Sequence, residues 1–235
     1  MRLNKFMAQC GIAARRKCDD MIKEGRVKVN GLVVERFGTI IDETVDQVMV
    51  DDIPLNLLSE FTYIVLNKPA EVLSAVDDKY RRETVVELVS TPQRIYPVGR
   101  LDYNTTGVLL LTDDGELTNK LIHPKFKAPK IYHVLLDRRV KPVDMHHLRN
   151  GIELEDKKTL PCKIREIRVV DNCSFLEIEL REGRKRQIRL MFAELEYTVE
   201  ELDRISFAGI TYKGLKQGQW RHLTEDEIEM LQGLS

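Results

Sequence analysis

The run Gly99-Arg100-Leu101-Asp102-Tyr103-Asn104-Thr105-Thr106-Gly107 leads into Val108-Leu109-Leu110-Leu111-Thr112 and sets one carboxylate between a fixed cation and a tight polar turn. A carboxylate held rigidly and partly desolvated is how a protein makes a nucleophile or a general base from a weak acid. A purely structural Asp-Asn turn would use the same residues, so this segment alone leaves both readings open. Further along, Lys130-Ile131-Tyr132-His133-Val134 puts Lys130 and Tyr132 on one face of a strand. Tyr132 is then either a core aromatic or a stacking wall for a nucleobase, with a phenol able to handle a proton. Gly183 to Arg189 has the form of a loop entering a helix. Its Arg184, Arg186 and Arg189 are placed to meet phosphates, or for one of them to pair with a buried Asp. Cations oppose the dipole at a helix start, which favours an external anion there.

Other chemistries are poorly supplied. Asp102, Asn104, Thr106, Gly107 and Asp113 occupy positions 1, 3, 5, 6 and 12 of a calcium loop. The last is Asp where a longer bidentate Glu is wanted, and the residues after Gly107 are β-like, so calcium is disfavoured. No Ser or Cys lies in a nucleophile elbow, and no Gly-rich phosphate loop is present. Cys10, Cys18, Cys162 and Cys173 lack paired metal-ligand spacing and read as reduced thiols of a cytoplasmic protein. Asn67-Lys68-Pro69 follows a strand and is either a turn or part of a site.

The 235 residues suit one large domain, or a medium one with a small one. No run approaches the ~18 apolar residues of a membrane span. The net charge of −1 conceals segregation. Met1 to Arg36 holds nine Lys/Arg against four acids, whereas Phe37 to Glu60 holds six acids and no Lys or Arg. With the second basic cluster at Arg181 to Arg189, this points to a polyanionic partner.

The N-terminal part reads as helix, turn, helix and small sheet. Leu3, Phe6, Met7 and Cys10 form one helix face ended by Gly11; Cys18, Met21 and Ile22 mark a second ended by Gly25. Val27–Val29 and Leu32–Val34 flank Asn30-Gly31, a strong hairpin signal, and a further strand runs over 47–50. A boundary near 58–61 gives a small domain, 1–58, in which Arg15, Arg16, Lys17 and Lys28 are placed to grip a phosphate backbone. The rest, 61–235, has strands expected over 63–66, 108–112, 131–136, 162–170 and 175–180. Helices are expected over 84–89, 116–122, 143–149 and 185–195, and a last one begins at a Thr224–Glu227 capping box. The expected class is α+β, with a mixed, mostly antiparallel sheet flanked by helices.

Taken in order, these motifs resemble the bacterial ribosomal-RNA pseudouridine synthases of the RsuA type. The resemblance rests on Gly99 to Asp102, Thr105 to Gly107 and Thr112 to Gly115. It continues at Asn67-Lys68-Pro69, His123-Pro124, Lys130 to Val134, Glu182 to Arg189 and Gly218 to Arg221 with Leu223-Thr224. The N-terminal part resembles the small alpha-L RNA-binding module that many members carry. The resemblance implies Asp102 as nucleophile or base, Tyr132 stacking on the target uracil and assisting the proton step, and Arg189 pairing with Asp102. It implies Arg100 and Arg184 as RNA contacts, and Arg186, Lys130 and Lys68 are expected on the RNA as well. The implied reaction needs no cofactor, since nothing is oxidised and no group is gained. The implied partner is ribosomal RNA or a pre-ribosomal particle, the large subunit slightly favoured over the small, with the protein a monomer. A competing class is a non-catalytic RNA-binding assembly factor, which would require a degenerate Asp102 or Tyr132. Three departures stand out: Glu71 where Gly is usual, Lys185 where Asn is frequent, and Leu190 where a basic residue is common.

Overall fold

The computed structural model of the chain describes residues 1–58, 60–155 and 157–234. Apolar residues at helical spacing form α1 (Leu3–Gln9) and α2 (Arg15–Lys23), which bury Leu3, Phe6, Met7, Cys18 and Ile22 in one core. A four-stranded antiparallel sheet closes that core: β1 (Val27–Val29), β2 (Leu32–Val33), β3 (Val48–Val50) and β4 (Ile53–Pro54), in the order β2-β1-β3-β4. Asn30 and Gly31 both have positive φ, 52° and 80°, as the two-residue turn between β1 and β2 requires.

The larger sheet comprises β5 (Tyr63–Lys68), β6 (Tyr96–Pro97), β7 (Thr106–Thr112), β8 (Lys130–Leu136), β9 (Lys163–Val170), β10 (Cys173–Leu180), β11 (Val199–Phe207), β12 (Ile210–Thr211) and β13 (Trp220–His222). Its order is β13-β5-β7-β11-β8-β10-β9, with β6 paired to β7 and β12 to β11. All pairs are antiparallel except β7 with β11, which run parallel, so the sheet is mixed. Four helices are associated with it: α3 (Gly115–Ile122), α4 (Pro142–Asn150), α5 (Gln187–Ala193) and α6 (Glu225–Gln232). One core joins Ile64, Leu109, Tyr132 and Val134 to α4 and α5. A second joins Val65, Val108, Leu110 and Phe207 to α3 and α6. Thr224 caps α6 through the expected capping box with Glu227.

The chain divides into two compact units: Met1–Thr62 with Pro92–Arg94 and Asp113–Gly115, and the remainder. The architecture is α+β. No helix among the described residues is long and apolar enough to cross a membrane.

Three expectations need correction. Residues 85–88 form turns rather than a helix, because the segment is tied to Leu73: Thr84 forms a bridge with it, the Leu73 amide donates to Glu83 O and the Val85 amide to Leu73 O, both at 2.9 Å. The helix expected over 185–195 starts only at Gln187, since Arg186 adopts a left-handed φ of 54°. The nine-residue β11, between β7 and β8, was missed: Glu200, Glu201, Asp203 and Arg204 break the apolar alternation that announces a strand.

Candidate active site

Asp102 opens a β-turn closed by the Thr105 amide donating to the Asp102 carbonyl at 3.0 Å. Leu101, just before it, is buried in the core and tied twice to Ser74, whose hydroxyl accepts from the Leu101 amide (3.1 Å) and donates to its carbonyl (2.9 Å). From below, the ammonium of Lys68 donates to the carbonyls of Pro69 (2.9 Å), Tyr103 (3.2 Å) and Thr105 (3.0 Å). The Glu71 amide adds a bond to Tyr103 O at 2.8 Å. The turn is thus fixed through its carbonyls on both sides of Asp102.

Gly107 anchors the far end. A Cβ there would lie 2.3 Å from the Arg204 carbonyl and 2.6 Å from Asp203 Oδ1, at a φ of +103°. Only glycine lets β7 and β11 approach this closely. Asp203 accepts from Thr106 Oγ1 (2.6 Å) and Tyr212 OH (2.5 Å), and Arg204 Nε donates to Val108 O (2.8 Å). The Thr105-Thr106-Gly107 segment is therefore a strand junction that sets where Asp102 begins.

Asp102 lines a cleft of about 230 Å³ with Arg100, Thr105, Tyr132, Leu202 and residues 182–188. That is below the ~300–1,000 Å³ of pockets for drug-sized ligands and suits a single nucleoside. The Asp102 carboxylate, half-buried, makes no hydrogen bond or ion pair among the described residues. The Tyr132 ring, 9% exposed, forms an apolar wall with Leu101, Leu180 and Ile188, and its hydroxyl likewise has no hydrogen-bond partner among them. The 182–188 part of the lining is braced by Gln187, whose amide nitrogen donates to Glu182 Oε1 (2.7 Å) and whose oxygen accepts from the Arg184 amide (3.0 Å).

The cations separate into two groups. Arg100, Lys185 and Arg186 are exposed at the cleft, and their side chains make no hydrogen bond or ion pair among the described residues. Lys68, expected on the RNA, is 0% exposed and cannot touch it; burial pushes its amine down to about 8, against the opposing pull of Asp102. Arg184 is also engaged internally, donating at 2.7 Å to the carbonyls of Lys157 and Lys158 and facing Glu182. Lys130 donates to Ala128 O and lies over the Phe207 ring, and burial lowers its amine to about 8. Arg189 forms no direct ion pair with Asp102 among the described residues; its Nη1 donates to Val199 O at 2.6 Å. It nonetheless senses the Asp102 charge: burial and Arg186 lower its pKa, while Asp102 and Glu200 oppose them.

In the N-terminal unit, Arg15, Arg16 and Lys17 are exposed in the first turn of α2, a turn with no acidic residue and no side-chain cap. Lys28 is instead paired with Asp52. The calcium alternative falls on geometry: Thr106–Thr112 is a strand, so residues 102–113 cannot wrap an ion, and no cluster of potential metal ligands occurs among the described residues. Glu182, Gln187 and Lys185 were missed as site residues from sequence. The Glu182–Gln187 spacing carried no chemical signal of its own, and Lys185 stood only as a departure.

Comparison with known proteins fits this geometry. Residues 62–194 match the model of the RNA pseudouridylate synthase family, and residues 1–46 match the S4 domain. The chain is 41% identical over 233 residues to an uncharacterized RNA pseudouridine synthase of Aquifex aeolicus, covering 98% of this chain and 93% of that one. It is 40% identical over 238 residues to the ribosomal large subunit pseudouridine synthase B of Bacillus subtilis, covering 100% of this chain and 96% of that one. A crystal structure of a pseudouridylate synthase superposes with a TM-score of 0.71 at 31% identity, covering 98% of this chain and 99% of the other. With its Asp102 cleft and its N-terminal S4 domain, the chain belongs to the RNA pseudouridylate synthase family.

Proposed function

We propose that this protein isomerises one uridine of ribosomal RNA to pseudouridine, with Asp102 as nucleophile or base, and that large-subunit RNA is its target. The observation that carries the reading is Asp102 on a fixed backbone turn, its carboxylate without a hydrogen-bond partner among the described residues, in a cleft lined by Tyr132 and by three cations that make no hydrogen bond or ion pair among those residues. The kinship with a ribosomal large subunit pseudouridine synthase supports the choice of RNA.

The reaction breaks the bond from C1′ to N1 of the uracil, turns the detached base, joins C1′ to C5, and moves a proton from C5 while N1 gains one. The target uridine must leave its stack at a cost of about a few kcal/mol. Arg100, Lys185 and Arg186 offset that cost by holding the flanking phosphates. Tyr132 stacks on the uracil and keeps water from the loose base, with its hydroxyl near the proton that moves. Lys68 and Arg189 make no direct contact with the Asp102 carboxylate among the described residues and act on it through space, as two positive charges within its electrostatic reach. Residues 1–58 form an RNA-binding domain in which Arg15, Arg16 and Lys17 meet the backbone; residues 61–235 form the catalytic domain. The protein works as a cytoplasmic monomer.

The test is Asp102→Asn. We expect product formation to fall by about a thousandfold or more while RNA affinity is kept. Retained turnover would overturn the assignment, and an inactive wild type that still binds ribosomal RNA would favour the assembly-factor reading.

A further inference from the structure

Residues 76–82, Val-Asp-Asp-Lys-Tyr-Arg-Arg, take no part in the machinery described above. They lie on the segment that Ser74 ties to Leu101, adjoining Glu71, whose amide holds the Tyr103 carbonyl. Two tyrosines here point outward: Tyr80 is 68% exposed and Tyr103, next to Asp102, is 41% exposed. Neither phenol has a hydrogen-bond partner among the described residues.

Tyr80 is presented by a defined turn. Asp78 accepts from the amides of Tyr80 (3.1 Å) and Arg82 (3.3 Å) and takes the Arg82 guanidinium at 3.0 and 2.9 Å. Lys79 Nζ and Arg82 Cζ sit 4.7 and 5.4 Å from the Tyr80 ring centroid. Arg82 is also within electrostatic reach of Tyr103. Arg81 is exposed, with no side-chain partner among the described residues. Exposed aromatic rings interleaved with Lys79 and Arg81, which have no carboxylate partner among the described residues, are the chemistry of unpaired nucleobases, each base stacking on a ring while its phosphate meets Lys or Arg.

We infer that Tyr103 and Tyr80 form a stacking platform beside the Asp102 cleft for the unpaired bases that flank the flipped uridine, with Lys79 and Arg81 on their phosphates. The inference deepens the reading of the cleft as a uridine site and rests on it. The platform makes target choice depend on unpaired flanking bases, because stacking reads a base's availability more than its identity.

Two measurements test it. In steady-state isomerisation of ribosomal RNA, Tyr80→Ala and Tyr103→Ala should each raise KM about tenfold, the equivalent of ~1.4 kcal/mol of lost stacking. Tyr80→Ala, outside the Asp102 turn, should leave kcat and Tm unchanged, and the Phe variants at both positions should behave as wild type. A merely structural role would lower Tm and kcat instead. The second measurement needs no turnover: a single-stranded oligoribonucleotide carries, on either side of a central uridine, an adenine analogue whose fluorescence is quenched by stacking. Quenching by the wild type that disappears in the double alanine variant supports the platform, even if isomerisation itself were never seen. Equal quenching by both proteins, none by either, or a KM unmoved in the double variant would overturn it.

Discussion

The floor and the rim of the Asp102 cleft use the same residue types for opposite purposes. On the floor, Lys68 and Arg184 are saturated by backbone carbonyls, and Arg189 gives one of its donors to Val199. At the rim, Arg100, Lys185 and Arg186 have no internal partner among the described residues. A buried carbonyl left unpaired costs roughly 1–3 kcal/mol, so Lys68, fully buried among its three carbonyls, is held by the fold itself. A rim cation loses little in water and gains only when a phosphate arrives. Position relative to the sheet, and not charge, decides which lysine or arginine can meet RNA.

Floor changes should therefore damage stability and turnover together, and rim changes should spare stability while weakening RNA binding. The largest effect is expected from Gly107→Ala. Its Cβ would meet the Arg204 carbonyl at 2.3 Å on a left-handed backbone, and about 4 kcal/mol should be lost, near 10 °C in Tm. A Tm within 2–3 °C of wild type would show that β7 and β11 can part without consequence. Next comes Lys68→Met, which strands three carbonyls. About 3 kcal/mol should go, and kcat should drop roughly a hundredfold as the Asp102 turn loosens; normal kcat would break the distinction between floor and rim.

Lys68 also makes a prediction for pH. Its amine titrates near 8 in the fold against an ordinary 10.5, so between those values the unfolded chain holds the extra proton. Its contribution to stability therefore rises with pH across that window, while the cation beneath the Asp102 turn is lost. Activity should decline above about pH 8 without a matching loss of stability from this group, and Lys68→Arg, always charged, should flatten that decline. At the rim, the triple change of Arg100, Lys185 and Arg186 to Ala should leave Tm unaltered. It should make the dependence of log K on log salt shallower by about 2 units; an unchanged slope would remove these side chains from the RNA. The smallest effect belongs to Glu71→Gly. Glu71 holds a left-handed φ of 63°, and glycine should stabilise the protein by about 0.5–1 kcal/mol in thermal unfolding.

Much of this was legible in the chain. The Asp102 motif, the apolar strand behind it and the hairpin at Asn30-Gly31 each carry a local signal, because a turn or a buried strand restricts residue type position by position. What escaped was long-range. Lys68 read as a turn residue or an RNA contact because nothing near it in sequence reveals the carbonyls of Tyr103 and Thr105 that surround it. Strand β11 was hidden because Asp203 and Arg204 serve a polar network with Thr106, Val108 and Tyr212, so its sequence lacks alternation although it lies between β7 and β8. Arg189 was expected to pair directly with Asp102; its link is electrostatic across a gap, a distinction that residue type cannot express.

The most direct test of the central claim is pseudouridine mapping of unmodified large-subunit ribosomal RNA after incubation with the purified protein and, in parallel, with its Asp102→Asn variant. The account predicts one new discrete pseudouridine with the wild type and none with the variant, although both bind the RNA. The same signal from both proteins would contradict the role of Asp102, and no signal from either would contradict the assignment of this RNA as substrate.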